Sequence, residues 1–236
     1  MPLTESRSDA DRAILSRMST RAFTSEPVPR SVIGQILSDA AAASALVAPI
    51  PWHMHVLQGD VLRQLCHAVC AAHDALRADA GLREAYQEPY DYYPEQWFSP
   101  YLDRRRENGW GLYGLLGIGK SEKDKMHAQH QRNYRFFDAP VGLFLAMDRK
   151  HGGETLLDAG RYLQNVMLQA RGHGLHTCPQ AAWNMFSPIV LPQLGMRGDD
   201  TALVCGMSIG HADAAALVNG YYTPRVPVAD FCHWRD

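Results

Sequence analysis

The 236-residue chain is 46% hydrophobic and 20% charged, the composition of a globular protein long enough to bury a sizeable core. A formal net charge of −2 leaves no electrostatic footprint for nucleic acid or an anionic membrane. Five scattered cysteines, an odd number, argue against a disulfide framework, and the polar start MPLTESRSDADR lacks the apolar core of a signal peptide, so a cytoplasmic location is expected.

In chain order, residues 5–18 read as a helix. Residues 29–43 read as a clearer one, with Val32, Ile33, Ile36, Leu37, Ala40 and Ala41 on one stripe and Pro29 at its first turn. The apolar run around 40–48 is too short to span a bilayer. HMHVLQ (53–58) alternates like a strand; His53 and His55 share one face, but without a third ligand they read as ordinary histidines. Asp60 then opens a long helix through Leu62, Leu65, Val69, Ala72 and Leu76, on which Cys66 and Cys70 stand one turn apart as buried thiols.

Residues 86–120 are rich in Tyr, Trp, Pro and Gly and read as an irregular insertion covering a pocket, with Arg104-Arg105-Arg106 and Glu107 on a solvated face. Ser121 and Asp124 suggest a capping box for a polar helix to about Arg135. VGLFLAM (141–147) has strand length, and residues 153–174 form the strongest helix, with Gly174 past its end. A short strand near 175–178, a helical region near 182–196, the strand ALVCGMSI (202–209) and a tail of little periodicity, 212–236, follow. No linker or repeat divides the chain. The order predicts a single α+β domain, a small mainly antiparallel sheet flanked by helices.

Two glycine patterns compete for a nucleotide. GLLGIGKS (114–121) satisfies the P-loop spacing, and Gly109-x-Gly111-x-x-Gly114 the dinucleotide fingerprint. Both chemistries require a buried strand before the loop and a helix whose first amides face the phosphates. The upstream RRRENGWGLY is a poor buried strand, and the helix opening EKDK has a weak apolar stripe. Neither site is expected.

Arg17-Met18-Ser19-Thr20-Arg21-Ala22-Phe23 carries two arginines and a serine spaced to surround a phosphate with charge-assisted hydrogen bonds. Basic residues at a helix C-terminus are also favoured by its dipole, so the stretch alone leaves both readings open. The segment resembles the opening signature of the FMN-dependent nitroreductase family. The same order of motifs follows in Pro27-Val28-Pro29, Pro51-Trp52, RNYRFFDAPVGLFLAMDR (132–149), Leu163-Gln164-Asn165, GLHTCPQAAW (174–183), LVCGMSIGHAD (203–213) and Arg225-Val226-Pro227-Val228. NGWGLYGLLGI (108–118) is similar to the insertion of the branch that reduces nitrobenzoates.

The resemblance implies an intertwined homodimer with FMN at the subunit interface and the 212–236 arm around the partner. It places Arg17, Met18, Ser19, Arg21 and Arg225 at the flavin phosphate, and Pro179, Gln180 and Ala181 beside the flavin ring. NADH or NADPH would donate electrons and a small aromatic substrate would accept them, so no side chain is named as acid or base. Trp110, Tyr113 and Phe136, with Tyr90, Tyr92, Tyr93 and Trp97, are candidates to wall the acceptor, and core packing accounts for any one of them equally well. His176 stands where the branch often carries an acid, and His211 where it often carries Tyr.

One loop departs from the family pattern Pro-Ser-x-x-Asn-x-Gln-Pro-Trp. The positions that matter are Ser44, Ala45, Ala48 and Ile50, so the framework is kept and most of the flavin-bonding side chains are gone. A second reading stays open: a diverged member that catalyses another redox step or holds another ligand. Restoring one group, Ala48→Asn, is expected to tighten FMN by about 0.5–1.5 kcal/mol, the net value of one hydrogen bond. Flavin titration of the apoprotein measures it, and an unchanged affinity would show that the loop is misaligned.

Overall fold

A strand with apolar side chains on both faces needs cover on both sides, and VGLFLAMD is such a strand. As β2 (Val141–Asp148) it is buried along its whole length apart from its last residue. The computed structural model describes residues 8–43 and 50–235. In it the elements run α1 (Asp9–Ser16), α2 (Arg30–Ala42), β1 (Trp52–Gln58), α3 (Gly59–Ala78), α4 (Tyr101–Leu115) and α5 (Lys123–Gln131). After β2 come α6 (Gly153–Gly172), β3 (His176–Gln180), α7 (Ser187–Gln193) and β4 (Thr201–Gly210).

The four strands pair antiparallel in the order β1-β2-β4-β3. On one face α2 and α6 cover Val141, Leu143, Leu145 and Met147 of β2. On the other face α3, α7 and the short 3-10 segment Ala181–Phe186 cover Phe144 and Ala146 around Trp183. This is the α+β arrangement that the element order predicts.

A register shift opposite Leu145 and Ala146 leaves Val204 of β4 without a cross-strand partner. The extra residue reverses the alternation of β4: Ala202 and Val204 itself, and then Met207 and Ile209, all face the α2/α6 core. The Val204 carbonyl is met instead by the Tyr90 hydroxyl (2.7 Å) and Asn184 Nδ2 (3.1 Å). The phenol of Tyr90 is thus spent on the bulge and not on a ligand.

Phe136, Phe137 and Asp138 all have positive φ (49°, 54° and 68°), a left-handed run that costs roughly 1–3 kcal/mol per residue. The surroundings offset it. Both rings are buried, and Arg132 (3.2 Å) and Arg135 (2.6 Å) hold the Asp138 carboxylate. The run turns the chain from α5 into β2.

Several local expectations are corrected. Residues 86–120 are not irregular throughout, because α4 crosses them as a 15-residue helix with Gly109, Gly111 and Gly114 inside it. A helix precedes the P-loop pattern where a buried strand is needed, which removes both nucleotide readings. The Ser121/Asp124 capping box does not form; α5 starts after Glu122, whose side chain accepts from the Gly119 N–H (2.8 Å). The region 182–196 divides into a 3-10 turn and α7, since prolines at 188 and 192 leave room only for a short helix. Helix α1 begins later than expected, where Ser8 and Asp11 form a reciprocal cap. The tail forms only the short turns Leu217–Gly220 and Val228–Asp230, in line with its lack of periodicity. Among the described residues no helix is long and apolar enough to cross a membrane.

Gly142 lies where a methyl group would come within 2.6 Å of the Phe136 ring and 2.9 Å of a Leu62 methyl. Gly142→Ala is therefore expected to lower stability by about 1–3 kcal/mol, the usual cost of overpacking. Urea unfolding followed by tryptophan fluorescence measures the change.

Candidate functional site

Helix α1 stops at Ser16, and the backbone becomes extended at Arg17. From there the chain runs along the open edge of β3. Ser19 forms a parallel bridge with Thr177, and the Thr20 N–H donates to the Thr177 carbonyl (3.0 Å). Farther on, Phe23 bridges Ala212 and the Thr24 N–H donates to the His211 carbonyl (2.9 Å). Asn219 completes the attachment: its Oδ1 accepts from the Arg21 N–H (2.8 Å), and its Nδ2 donates to the carbonyls of Ala22 (2.8 Å) and Asp213 (2.9 Å). Backbone bonding thus joins the Arg17 stretch to both β3 and the C-terminal segment.

The result is a cleft of about 710 Å³, within the size range of small-molecule sites. Arg17, Met18, Ser19, Arg21 and Arg225 all line it, together with Ile14 and Leu15 of α1, Gln164 of α6 and Asn108 of α4. Its guanidinium groups find carbonyl and hydroxyl acceptors but, among the described residues, no carboxylate. Arg21 Nη1 donates to Ser19 O (3.2 Å), and Arg225 Nη1 to the carbonyl (2.9 Å) and hydroxyl (2.7 Å) of Thr223. Burial, and after it the like charge of Arg225, lowers the pKa of Arg17. A cleft with this much cationic character and no acid of its own is suited to a phosphate dianion. Cys178 lies behind it as an inert thiol, pushed up to about 11 by burial.

The remaining predicted positions are less closely gathered. Pro179 and Ala181 are half-buried, and Gln180 is buried with its side chain already committed. It donates to Asn133 O (2.7 Å) and accepts from Ser208 Oγ (2.7 Å), so what it can offer a ligand is backbone. Trp110 and Tyr113 pack together on α4, 5.9 Å apart, two and five residues beyond Asn108 of the cleft wall, and do not themselves line the cleft. Phe136 is corrected. It is 0% exposed and stacks on Trp183 at 4.5 Å, so it belongs to the core and presents no face to an acceptor in this chain. Ser44, Ala45 and Ala48 lie outside the described residues, while Ile50 is half-exposed. Gln164, Asn108, Tyr221 and Thr223 also line the cleft without having been named as site residues; Gln164 and Asn108 stand in motifs quoted for the resemblance, and Tyr221 and Thr223 shortly precede the quoted Arg225 block.

The family model described as Nitroreductase family matches residues 14–211. The chain belongs to the nitroreductase family. Among curated members of that family it is 36% identical to a 4-nitrobenzoate reductase of Nocardioides sp. (strain LMS-CY), covering 92% of this chain and 86% of that one. It is 34% identical to a chloronitrobenzene nitroreductase of Comamonas testosteroni, covering 94% of each. A crystal structure of the FMN and NADPH-dependent nitroreductase NfnB from sphigopyxis sp. strain HMH superposes with a TM-score of 0.88 at 38% identity, over 96% of this chain and 99% of that one. The FMN-dependent nitroreductase NfnB from Mycobacterium smegmatis, in complex with NADPH, gives 0.87 at 28% identity, over 97% and 98%.

Within the nitroreductase frame, His176 has a definite partner. Arg171 Nη1 donates to its Nε2 (2.8 Å) and to Leu175 O (2.9 Å), while Arg171 Nε donates to Ser16 Oγ (3.0 Å). An acid here would make an ion pair with Arg171; the histidine makes a hydrogen bond that requires a neutral ring. Burial first, then Arg171 and His211, lower its pKa to about 4. His53 and His55 form no metal set among the described residues, and His55 contacts Met196 Sδ at 3.1 Å.

The His176 shift gives a pH prediction. The folded value lies below the ordinary value of about 6.5, so the unfolded chain binds the extra proton between them. The stability that His176 contributes is fully present above about pH 6.5 and is lost as pH falls toward 4. His176→Gln keeps an acceptor for Arg171 and removes the titration, so its urea midpoint is expected to fall less than the parent's between pH 7.5 and pH 5. Parallel midpoints for the two proteins would overturn the assignment.

Proposed function

We propose that this chain is an FMN-dependent oxidoreductase that passes electrons from NADH or NADPH to a nitroaromatic or related small aromatic acceptor. The observation that carries the reading is the cleft in which Arg17, Arg21 and Arg225 meet without a carboxylate, in a nitroreductase fold whose relatives are named for nitroaromatic reduction. FMN, when bound, supplies the redox chemistry, taking a hydride equivalent from the nicotinamide and releasing electrons in pairs to the acceptor.

The protein's own part is binding and orientation. Arg17, Arg21 and Arg225, with Ser19 and the backbone at Met18, hold the phosphate end. The backbone of Pro179, Gln180 and Ala181, at the end of β3, would support the ring. The Ser19–Thr177 bridge fixes the distance between these two groups, so the phosphate anchor and the ring support move as one body. Trp110 and Tyr113 offer flat faces for a planar acceptor.

The active unit in this reading is a homodimer. Tyr222 (75% exposed), Phe231 (65%) and Trp234 (82%) of the tail present apolar surface to solvent, and α4 buries none of its side chains within one chain. Surfaces of this kind are covered in assemblies. A second copy would enclose the cleft with its own arm and exclude water from the flavin.

Purified protein is expected to be yellow, to release FMN on denaturation and to oxidise NADH or NADPH when 4-nitrobenzoate is added. Colourless protein that takes up no added FMN would overturn the reading. Arg21→Ala and Arg225→Ala are each expected to weaken FMN by about 1.5–3 kcal/mol, the range for charged hydrogen bonds, which is roughly ten- to hundredfold in the dissociation constant. Fluorescence titration of the apoprotein measures both.

A further inference from the structure

Helix α5 buries none of its own side chains, and its contacts with α3 include an ion pair, hydrogen bonds and a stacked pair of rings. Arg77 pairs with Asp124, and Gln131 Nε2 donates to Cys70 O (3.2 Å) and Asp74 Oδ1 (2.8 Å). At the centre of this contact two imidazoles, His73 and His127, meet the Asp74 carboxylate, with His130 beside His73. The His73 ring stacks on His127, with centroids 4.1 Å apart and 6° between the planes. Its Nε2 is 3.3 Å from Nδ1 of His130, and His127 Nε2 is 2.6 Å from Asp74 Oδ1.

Bringing three histidines together, His73 buried, His127 half-buried and His130 exposed, is a poor way to join two helices. Like rings repel when protonated, and each neutral ring has only one donor. The contact also leaves a defect: His73 is 9% exposed, and its Nδ1 is buried with no hydrogen-bond partner among the described residues. One ligand atom each from His73, Asp74 and His127 lie within 4.8 Å of one another, a set that no other His, Cys, Asp or Glu side chains form among the described residues.

We infer that His73, Asp74 and His127 bind a divalent transition metal ion of the zinc class, which clamps α5 to α3. The donor set fits that class, since imidazole nitrogen with one carboxylate suits zinc and its neighbours. These three ligands leave the fourth position of a tetrahedral zinc to water. Stacked rings hold their lone pairs in parallel planes, so binding turns one ring about its Cβ–Cγ bond. It also replaces the His127–Asp74 hydrogen bond with two metal–ligand bonds, the remaining imidazole proton sitting on the other ring nitrogen. The Asp74 side chain is 62% exposed and opens the route from solvent, while Tyr134 (4.9 Å) and Phe186 (6.4 Å) close the far side of His73. Arg77, the nearby cation, is neutralised by Asp124. The site is on the α3 face of the sheet, whereas α6, which helps line the cleft, covers the opposite face.

The test uses tag-free protein, stripped with EDTA, dialysed and titrated with zinc sulfate by calorimetry, with thermal unfolding in parallel. The parent is expected to bind about one zinc per chain and to melt at a higher temperature with zinc than without. Asp74→Asn and His127→Gln are each expected to weaken binding at least about tenfold and to cancel the thermal shift, with near-UV circular dichroism unchanged. Parent protein that takes up no zinc, or either folded variant binding within tenfold of the parent, overturns the assignment. Asp74 is on the solvent side and its substitution leaves the core intact, so that variant decides alone if His127→Gln fails to fold.

Discussion

Like charges held together without counter-charges repel, and this fold gathers three guanidinium groups into one cleft without an acid. It does so with backbone bonds that the repulsion cannot easily break. The stretch from Arg17 to Thr24 is stitched to Thr177 on one side and to His211, Asp213 and Asn219 on the other. Burial first, and the like charge of Arg225 after it, lower the pKa of Arg17. An anion entering the cleft would offset the like charge, which is the physical basis for the phosphate-binding role proposed for it.

Those bonds depend in turn on where β3 sits. It is an edge strand, paired only with β4, so its outer side is free to receive the Ser19 bridge. The bulge at Val204 lets β4 keep large apolar residues on the α2/α6 face at both ends. The carbonyl it releases is taken up by Tyr90 from the segment before α4. Core packing, the free edge and the position of the 86–120 region are therefore linked through one extra residue. The left-handed run at 136–138 has a similar role at the start of β2, where Phe136 fills the space beside Gly142.

Helix α4 shows why the central region was hard to read. Three glycines within NGWGLYGL lower helix propensity, and its apolar residues follow no stripe because the helix buries no side chain in its own chain. Gly111 has a reason in the fold: a methyl group there would meet the Tyr221 hydroxyl at 2.5 Å, and that hydroxyl donates to the Asn108 carbonyl. The glycine that suggested a phosphate loop is needed for contact with the tail. Phe136 failed as a pocket residue for a related reason. Its sequence surroundings, RNYRFFDAP, contain charges that suggest a surface, but the left-handed turn directs the ring inward against Trp183.

By itself the sequence determined the elements with a strong period or continuous apolar character, α2, α3, α6, β2 and β4, because burial on one stripe or on two faces is written directly into residue order. It also determined the cationic stretch at 17–21 and its C-terminal counterpart at Arg225, since charge and spacing are local properties. Tertiary structure alone decided that these arginines share a cleft, that Gln180 spends its side chain on Asn133 and Ser208, and that His73 meets His127 across two helices. Such contacts join residues from 28 to more than 200 positions apart, and whether a polar group is paired, crowded or left open depends on what the fold brings opposite it.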